Sequence, residues 1–304
     1  MINGNLHLEE ELLQPFTHIL EISSKNMRRG IAEAFNHWMK ISDEKMNEVL
    51  EIVNMYHNAS LLADDIQDGD TIRRGIPAAH CVFGVPMTMN ASVHVIMLAM
   101  KRCGKYHPKG IEIINEQSLE LVRGQGKEIY WRDMFVCPTE EEYMEMLRQK
   151  TGEMFNLAAR LMQLWSSNTK DYRAFGRKLG MYFQLRDDYC NIAQPEKLEE
   201  RPSDQILNDY YMDLTEGKFT LPIIHAARSL KGASVLSILK QRTKDINLKR
   251  YCVSLLEDLG SMEYTRKVLR DLDREIREEI ARLGGNPAML SVMDQLLTWE
   301  QTSR

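Results

Sequence analysis

From Glu140 to Ala193 the chain runs for 54 residues without a proline, and its only glycines there are Gly152, Gly176 and Gly180. Proline removes a backbone donor and clashes with the preceding turn, and glycine costs about 1 kcal/mol inside a helix. A stretch this long and almost clear of both predicts two or three helices, split near Ser166-Ser167-Asn168. The same period governs Asp43 to Leu62, where Met46, Val49, Val53, Tyr56 and Ser60 recur at steps of three and four on one helix face. No segment sustains a two-residue alternation between turn signals, so strands are not required. Breaks are expected at 75–77, 84–86, 107–108, 195–202 and 284–287, where Gly and Pro cluster. No internal repeat or low-complexity linker divides the 304 residues. The expectation is one all-α domain over 1–304, a helical bundle.

Composition supports this and narrows the function. Only 9 prolines stand against 19 methionines. Lys plus Arg is 39 and Asp plus Glu is 44, a net charge of −5 that argues against a nucleic-acid binder. Cys81, Cys103, Cys137, Cys190 and Cys252 are odd in number and widely spaced, with no CxxC pair, so reduced thiols in a cytoplasmic protein are expected. The acidic N-terminus has neither a long apolar run nor an arginine-rich leader. The most apolar stretch, 85–100, contains Asn90 and His94 and falls short of the roughly 18 apolar residues of a spanning helix. The most polar stretch, 194–211, suits either a surface loop or a mobile flap, the flap spanning 192–212.

Two carboxylate clusters carry the chemistry. In LLADDIQDGDTIRRG (61–75), Asp64 and Asp68 are four residues apart and share a helix face, with Asp65 beside them and Asp70 beyond. Like charges so placed destabilise a helix by a few tenths of a kcal/mol, which a cation removes. Carboxylates without His or Cys suit Mg2+, which shares its shell with water and substrate phosphates. Arg73 and Arg74 follow, with guanidinium forks suited to phosphate. The second cluster, Gln184-Leu-Arg-Asp-Asp-Tyr-Cys-Asn191, sets Asp187 and Asn191 four apart, with Asp188 adjacent, in an otherwise apolar helix. Buried charge there is expensive unless paired. Each cluster alone also fits a solvated acidic face. Facing one another across a diphosphate, the two would make pyrophosphate a leaving group, with Lys150 and Lys218 as supporting cations.

On these residues the sequence resembles the trans-isoprenyl diphosphate synthases, and within them the animal geranylgeranyl diphosphate synthases. The marks span nearly the whole chain: 34–38 (AFNHW), 57–62 (HNASLL), 64–68, 73–77 (RRGIP), 124–126 (GQG), 130–133 (YWRD), 150–152 (KTG), 184–191 and 213–218 (DLTEGK). The resemblance implies an all-α shell around a deep cavity and three Mg2+ ions per active site, held principally by Asp64, Asp68 and Asp187. It implies that Asp65, Asp188, Lys150 and Lys218 belong to the catalytic set. Arg73, Lys150 and Lys218 would hold the allylic diphosphate, with Thr151, Gln184 and Asn191 at hand. Lys25, Arg28, His57 and Arg74 would bind isopentenyl diphosphate. A homodimer or higher homo-oligomer is implied as well.

Chain length is argued on the helix that ends at Asp64. One turn rises about 5.4 Å, close to one five-carbon unit. Small Ala59 and Ser60 would leave the cavity open below the metals, suiting a long product; they also suit a tight helix contact.

Several residues depart from the family pattern. Ser24 stands where a glycine usually precedes Lys25, and Glu153 where a small residue follows Lys-Thr-Gly, placing a charge near the cavity wall. Ala63 replaces a bulkier aliphatic, and the 192–212 segment is longer than expected. A lysine usual in that segment has only Arg201 or Asn208 as candidate counterparts. Three readings follow: an elongase making geranylgeranyl diphosphate; a terpene synthase derived from this family, or a protein with both activities; and a non-catalytic subunit, against which both intact aspartate motifs argue.

Overall fold

The computed structural model describes residues 8–20, 27–193 and 211–302. Lys25, Ser24 and most of the 192–212 segment therefore lie outside the described residues. A short helical stretch over 8–12 leads into helices α1 (Gln14–Leu20), α2 (Met27–Met39) and α3 (Asp43–Asp68). A two-stranded hairpin follows, β1 (Ile72–Arg73) and β2 (Ile76–Pro77), then α4 (Ala79–Phe83), α5 (Val85–Tyr106), α6 (Gly110–Met134) and α7 (Glu140–Leu147). A π-helical turn over Arg148–Gly152 joins α7 to α8 (Glu153–Gln163), and α9 (Arg173–Ala193) comes next. Beyond the undescribed segment come α10 (Met212–Glu216), α11 (Leu221–Ala227), α12 (Gly232–Lys240), α13 (Ile246–Asp258), α14 (Ser261–Arg282) and α15 (Pro287–Leu296).

Local chemistry explains the boundaries. Helix α3 starts at Ser42, whose side chain accepts from Lys45 N at 3.4 Å, and its first turn holds Asp43 and Glu44 at the positive end of the helix dipole. It continues past Leu62 to Asp68 and stops at Gly69, with φ of 73°. Thr139 and Glu142 close a capping box on α7. The break expected near 166–168 separates α8 from α9. Sequence period did not foresee the hairpin. Its strands are two residues each, antiparallel, with Arg73 opposite Ile76, and its turn is made by Arg74 (φ 52°) and Gly75 (φ 85°). Positive φ at both central residues is the turn that matches strand twist, and Arg at the first of them is a strained choice.

Helix α3 runs along α5, tied by Arg102 to Glu48 at 2.7 and 2.9 Å and by Ser92 Oγ donating to Ala59 O at 2.7 Å. An aromatic group joins α2 to α9: Trp38 stacks on Tyr172 at 5.2 Å and meets Phe175 edge-on at 5.3 Å. The same Trp38 donates to Gly285 O at 2.8 Å, and Asn286 donates to Ala34 O at 2.7 Å. Both ends of the chain thus close on one core.

Three glycines bring backbones into direct contact. A Cβ on Gly180 of α9 would lie 2.6 Å from Gly152 Cα. One on Gly124 of α6 would lie 2.7 Å from Lys150 N. The π turn is therefore sandwiched between α6 and α9 with no room for a methyl group. Gly180→Ala is expected to lose about 1–3 kcal/mol in urea denaturation. Gly30→Ala, in α2 with nothing within 4 Å of the added methyl, should gain roughly 0.5–1 kcal/mol. Equal effects of the two changes would contradict this packing.

Candidate active site

The last turns of α3 present Asp64 and Asp68 on one face, as the four-residue spacing requires. Gln125 of α6 donates to Asp64 Oδ1 at 3.0 Å, and Lys150 Nζ stands 3.4 Å from the same oxygen. Arg132, also on α6, donates to Asp68 and to Gln67 O, the latter at 2.8 Å. Burial and then the neighbouring Asp64 charge push the Asp68 carboxyl upward, although Lys150 opposes them.

Asp65 points elsewhere. It is 1% exposed and accepts from Arg73 Nε at 2.6 Å, so it anchors the hairpin to α3. Burial pushes its carboxyl up to about 6 despite Arg73. Arg73 also approaches Asp70 at 3.3 Å and Asp64 at 3.8 Å.

On the opposite side α9 brings up the second cluster. Asp188, 1% exposed, accepts from Tyr143 Oη at 2.5 Å, from Gln184 Nε2 at 2.9 Å and from Lys218 Nζ at 3.2 Å. Thr151 Oγ1 in turn donates to Gln184 at 2.8 Å, linking the π turn to α9. Asp187 is less buried than Asp188, and its charge helps raise Asp213 after burial, Lys218 and Asp188 have acted. Asn191 accepts from the backbone N–H of Asp213 at 3.2 Å, which places it as an anchor for α10.

Glu128 of α6 joins the two sides. This buried carboxylate accepts from Lys150 and lies 3.4 Å from Lys218 Nζ. Burial alone would raise it, but the two ammonium groups override that and hold it below the usual carboxylate range. Burial also opposes the charge of Lys218, yet Asp188, Glu128 and Asp213 keep it firmly protonated. A continuous chain results: Asp64, Lys150, Glu128, Lys218, Asp188. Burial, then the charges of Asp213 and Asp70, raise the Glu216 carboxyl well above its ordinary value.

A separate cationic group lies beside α1 and the hairpin. His57, on α3, is neutral: burial lowers it, and the charges of Arg28, Arg74 and Arg73 lower it further. Arg28 donates to Asn54 Oδ1 at 3.1 Å. Buried Arg74 reaches Ile19 O and Asn58 Oδ1, each at 3.4 Å.

Two placements differ from the sequence reading. Ala59 turns away from the Asp64 face and packs with Phe16, Ile19, Leu62, Ala79, Ala91 and Val95. Five residues before Asp64 is 500° of helix rotation, some 140° off the Asp64 direction. Ser60, four residues before, shares that face and donates to His57 O at 2.8 Å. Glu153 is fully buried, and its carboxylate bonds to Arg148, Arg177 and Asn156 rather than lining the cavity beside Lys150.

Sequence reasoning missed Gln125, Glu128, Arg132, Tyr143 and Asp213 as members of the site. The first three stand at i, i+3 and i+7 on α6, one polar stripe on a single face, which was the available signal.

The donor set suits a hard cation. Asp213 Oδ2, near Lys218, is buried without a hydrogen-bond partner. Among the described residues no three His, Cys, Asp or Glu converge closely enough to hold an ion by themselves. The all-oxygen chemistry of these carboxylates is that of Mg2+ sites, where one or two carboxylates share the ion with water and phosphate.

An all-α bundle in which lysines stand between two aspartate clusters defines the class of helical protein to which comparisons with known proteins point. The family model described as polyprenyl synthetase matches residues 9–256, and the chain belongs to that family. A terpene synthase of Matsumurasca onukii is 50% identical over 302 residues, 99% of this chain and 97% of that protein. A geranylgeranyl pyrophosphate synthase of Dictyostelium discoideum is 39% identical over 288 residues, covering 94% and 93%. One from Gibberella zeae is 44% identical over 271 residues, covering 88% and 72%.

Glu128→Gln removes the carboxylate that Lys150 and Lys218 share, leaving Lys150 with Asp64 and Lys218 with Asp188, and is expected to cost about 2–3 kcal/mol in chemical denaturation near neutral pH. Because the folded carboxyl is held below its ordinary 4.5, its contribution is present above that pH and lost as pH falls below it. The gap between wild type and variant should therefore shrink below about pH 4.5. A gap that does not change with pH would contradict the pairing.

Proposed function

We propose that the chain ionises an allylic diphosphate with Mg2+ and extends it with isopentenyl diphosphate to geranylgeranyl diphosphate. The observation that carries elongation is the second cationic group. Arg28 and Arg74 flank His57 by bonding to Asn54 and Asn58 of the same helix, a group separate from the two lysines that share Glu128. Elongation needs two diphosphate sites, whereas cyclisation needs one.

Asp64, Asp68 and Asp187 would hold the Mg2+, three ions per site. When bound, Mg2+ neutralises the diphosphate so that its carbon–oxygen bond can break. Lys150 and Lys218 exchange Glu128 for phosphate oxygens as charge develops on the leaving group. Thr151 and Gln184 orient the same group from the π turn and α9. Arg28, His57 and Arg74 hold the isopentenyl diphosphate so that its double bond meets the allylic cation. The proton then lost passes to the departing pyrophosphate. Lys25, assigned to the same pocket, lies outside the described residues.

The terpene-synthase reading is favoured by a different observation: the Matsumurasca onukii relative is more similar, over more of the chain, than the two synthases reported beside it. That reading shares the ionisation step and dispenses with the second diphosphate site.

The described residues are read as one domain, supported by the Trp38–Gly285 and Asn286–Ala34 bonds. A homodimer or higher homo-oligomer is supported by exposed Val93 and Met97 on α5 and Leu119 and Val122 on α6. The proposed compartment is the cytoplasm, supported by five free cysteines. No helix among the described residues is long and apolar enough to cross a membrane.

Asp64→Ala and Asp187→Ala should each lower turnover by orders of magnitude while the helical circular dichroism stays unchanged; near-normal rates in either would defeat the mechanism. Purified enzyme with Mg2+ should convert farnesyl plus isopentenyl diphosphate to a diphosphate product, extracted without phosphatase. A cyclic hydrocarbon from geranylgeranyl diphosphate alone would instead establish the cyclase.

A further inference from the structure

Glu153 is a carboxylate with no solvent exposure, and a charge so placed is costly unless it is fully paired. Its Oε1 accepts from Arg148 Nη1 and from Arg177 Nε, both at 2.6 Å, and its Oε2 from Asn156 Nδ2 at 2.7 Å. These partners are not neighbours by accident of one helix. Arg148 is the first residue of the π turn, Arg177 lies on α9, and Glu153 opens α8. Arg148 extends the mesh to Glu145 of α7 at 2.6 Å and to Glu120 of α6 at 3.2 Å. One buried carboxylate therefore ties the start of the π turn to the helix across from it.

The turn it ties is the one that carries Lys150 and Thr151. A π turn has an extra residue per hydrogen-bonded ring and occurs mostly as a single turn, frequently at functional sites. Widening the turn aims Lys150 at Asp64 and Glu128 and Thr151 at Gln184. The backbone contacts at Gly124, Gly152 and Gly180 set how close the turn lies to α6 and α9 but place no polar restraint on its rotation. The Glu153 bonds supply such a restraint at the start of the turn, beside the bond from Gln149 to Glu120 at 2.9 Å.

We propose that Glu153 is a positioning residue, holding the π turn so that Lys150 and Thr151 together grip the leaving diphosphate. It touches no substrate itself. The inference rests on the diphosphate reading of Lys150 and Thr151, and the test separates the two.

The probe is inorganic pyrophosphate with Mg2+, titrated calorimetrically into the full chain. Glu153→Gln keeps the shape and removes the charge that pairs both guanidinium groups. It is expected to weaken pyrophosphate binding about tenfold and to raise KM for the allylic diphosphate by a similar factor, with a smaller fall in kcat. Glu153→Asp, which keeps the charge, should recover part of the loss. In a Thr151→Val background the same change should cost clearly less, because both act through one turn. Should Glu153→Gln not fold, Arg177→Gln removes one of the two partners at a partly exposed position and should show the same weakening and the same non-additivity. Unchanged pyrophosphate affinity alongside a lowered Tm would overturn the proposal, leaving Glu153 a packing element only. Equal losses in both backgrounds would overturn it too. Failure of the wild-type chain to bind Mg2+ and pyrophosphate would sink the diphosphate reading and this inference with it.

Discussion

The contact of Gly152 with Gly180, backbone against backbone, is the constraint on which the rest of the site depends. It seats the π turn on α9, while Gly124 lets α6 approach from the other side. Interiors are packed closely enough that one added methyl at such a crossing must move a helix. Moving α9 would shift Gln184 and Asp188 relative to Thr151 and Lys218, because each pair is joined by a single hydrogen bond or ion pair. Small residues with no chemistry of their own thus set the distances between those that have it.

Within that frame the charges alternate. Asp64, Lys150, Glu128, Lys218 and Asp188 form a chain in which no ammonium group lacks a carboxylate and the two lysines share one. Buried charge is tolerable only on these terms. In the proposed reaction an incoming diphosphate would take the place of Glu128 between the lysines, and Mg2+ that of the lysines beside the aspartates. The adjacent aspartates divide the work. Asp64 and Asp68 take hydrogen bonds from Gln125 and Arg132 of α6, whereas Asp65 and Asp188, each 1% exposed, tie down the hairpin and the Tyr143–Gln184–Lys218 group.

Elongation and cyclisation share this apparatus and part ways afterwards. The arginines around His57 favour a second diphosphate. Glu153, which the sequence placed near the cavity wall, faces the Arg148–Arg177 mesh and therefore says nothing about the fate of the cation. Of the two small residues of α3, Ala59 lies against α5 and only Ser60 shares the face of Asp64.

The all-α class, the helix carrying Asp64 and Asp68 and the helix carrying Asp187 and Asp188 were legible in the residues alone. Period and spacing are local properties, and a helix displays them without reference to its neighbours. The sequence did not disclose the Arg74–Gly75 turn, because two-residue strands leave no alternation to read. Nor did it single out Glu128, Tyr143 or Asp213, each a lone polar residue until another helix arrives. The tertiary structure alone decided those roles, the inward aim of Lys150 and the outward turn of Ala59 and Glu153. Such choices depend on which helix face meets which partner, and on the cost of burying a charge that finds none.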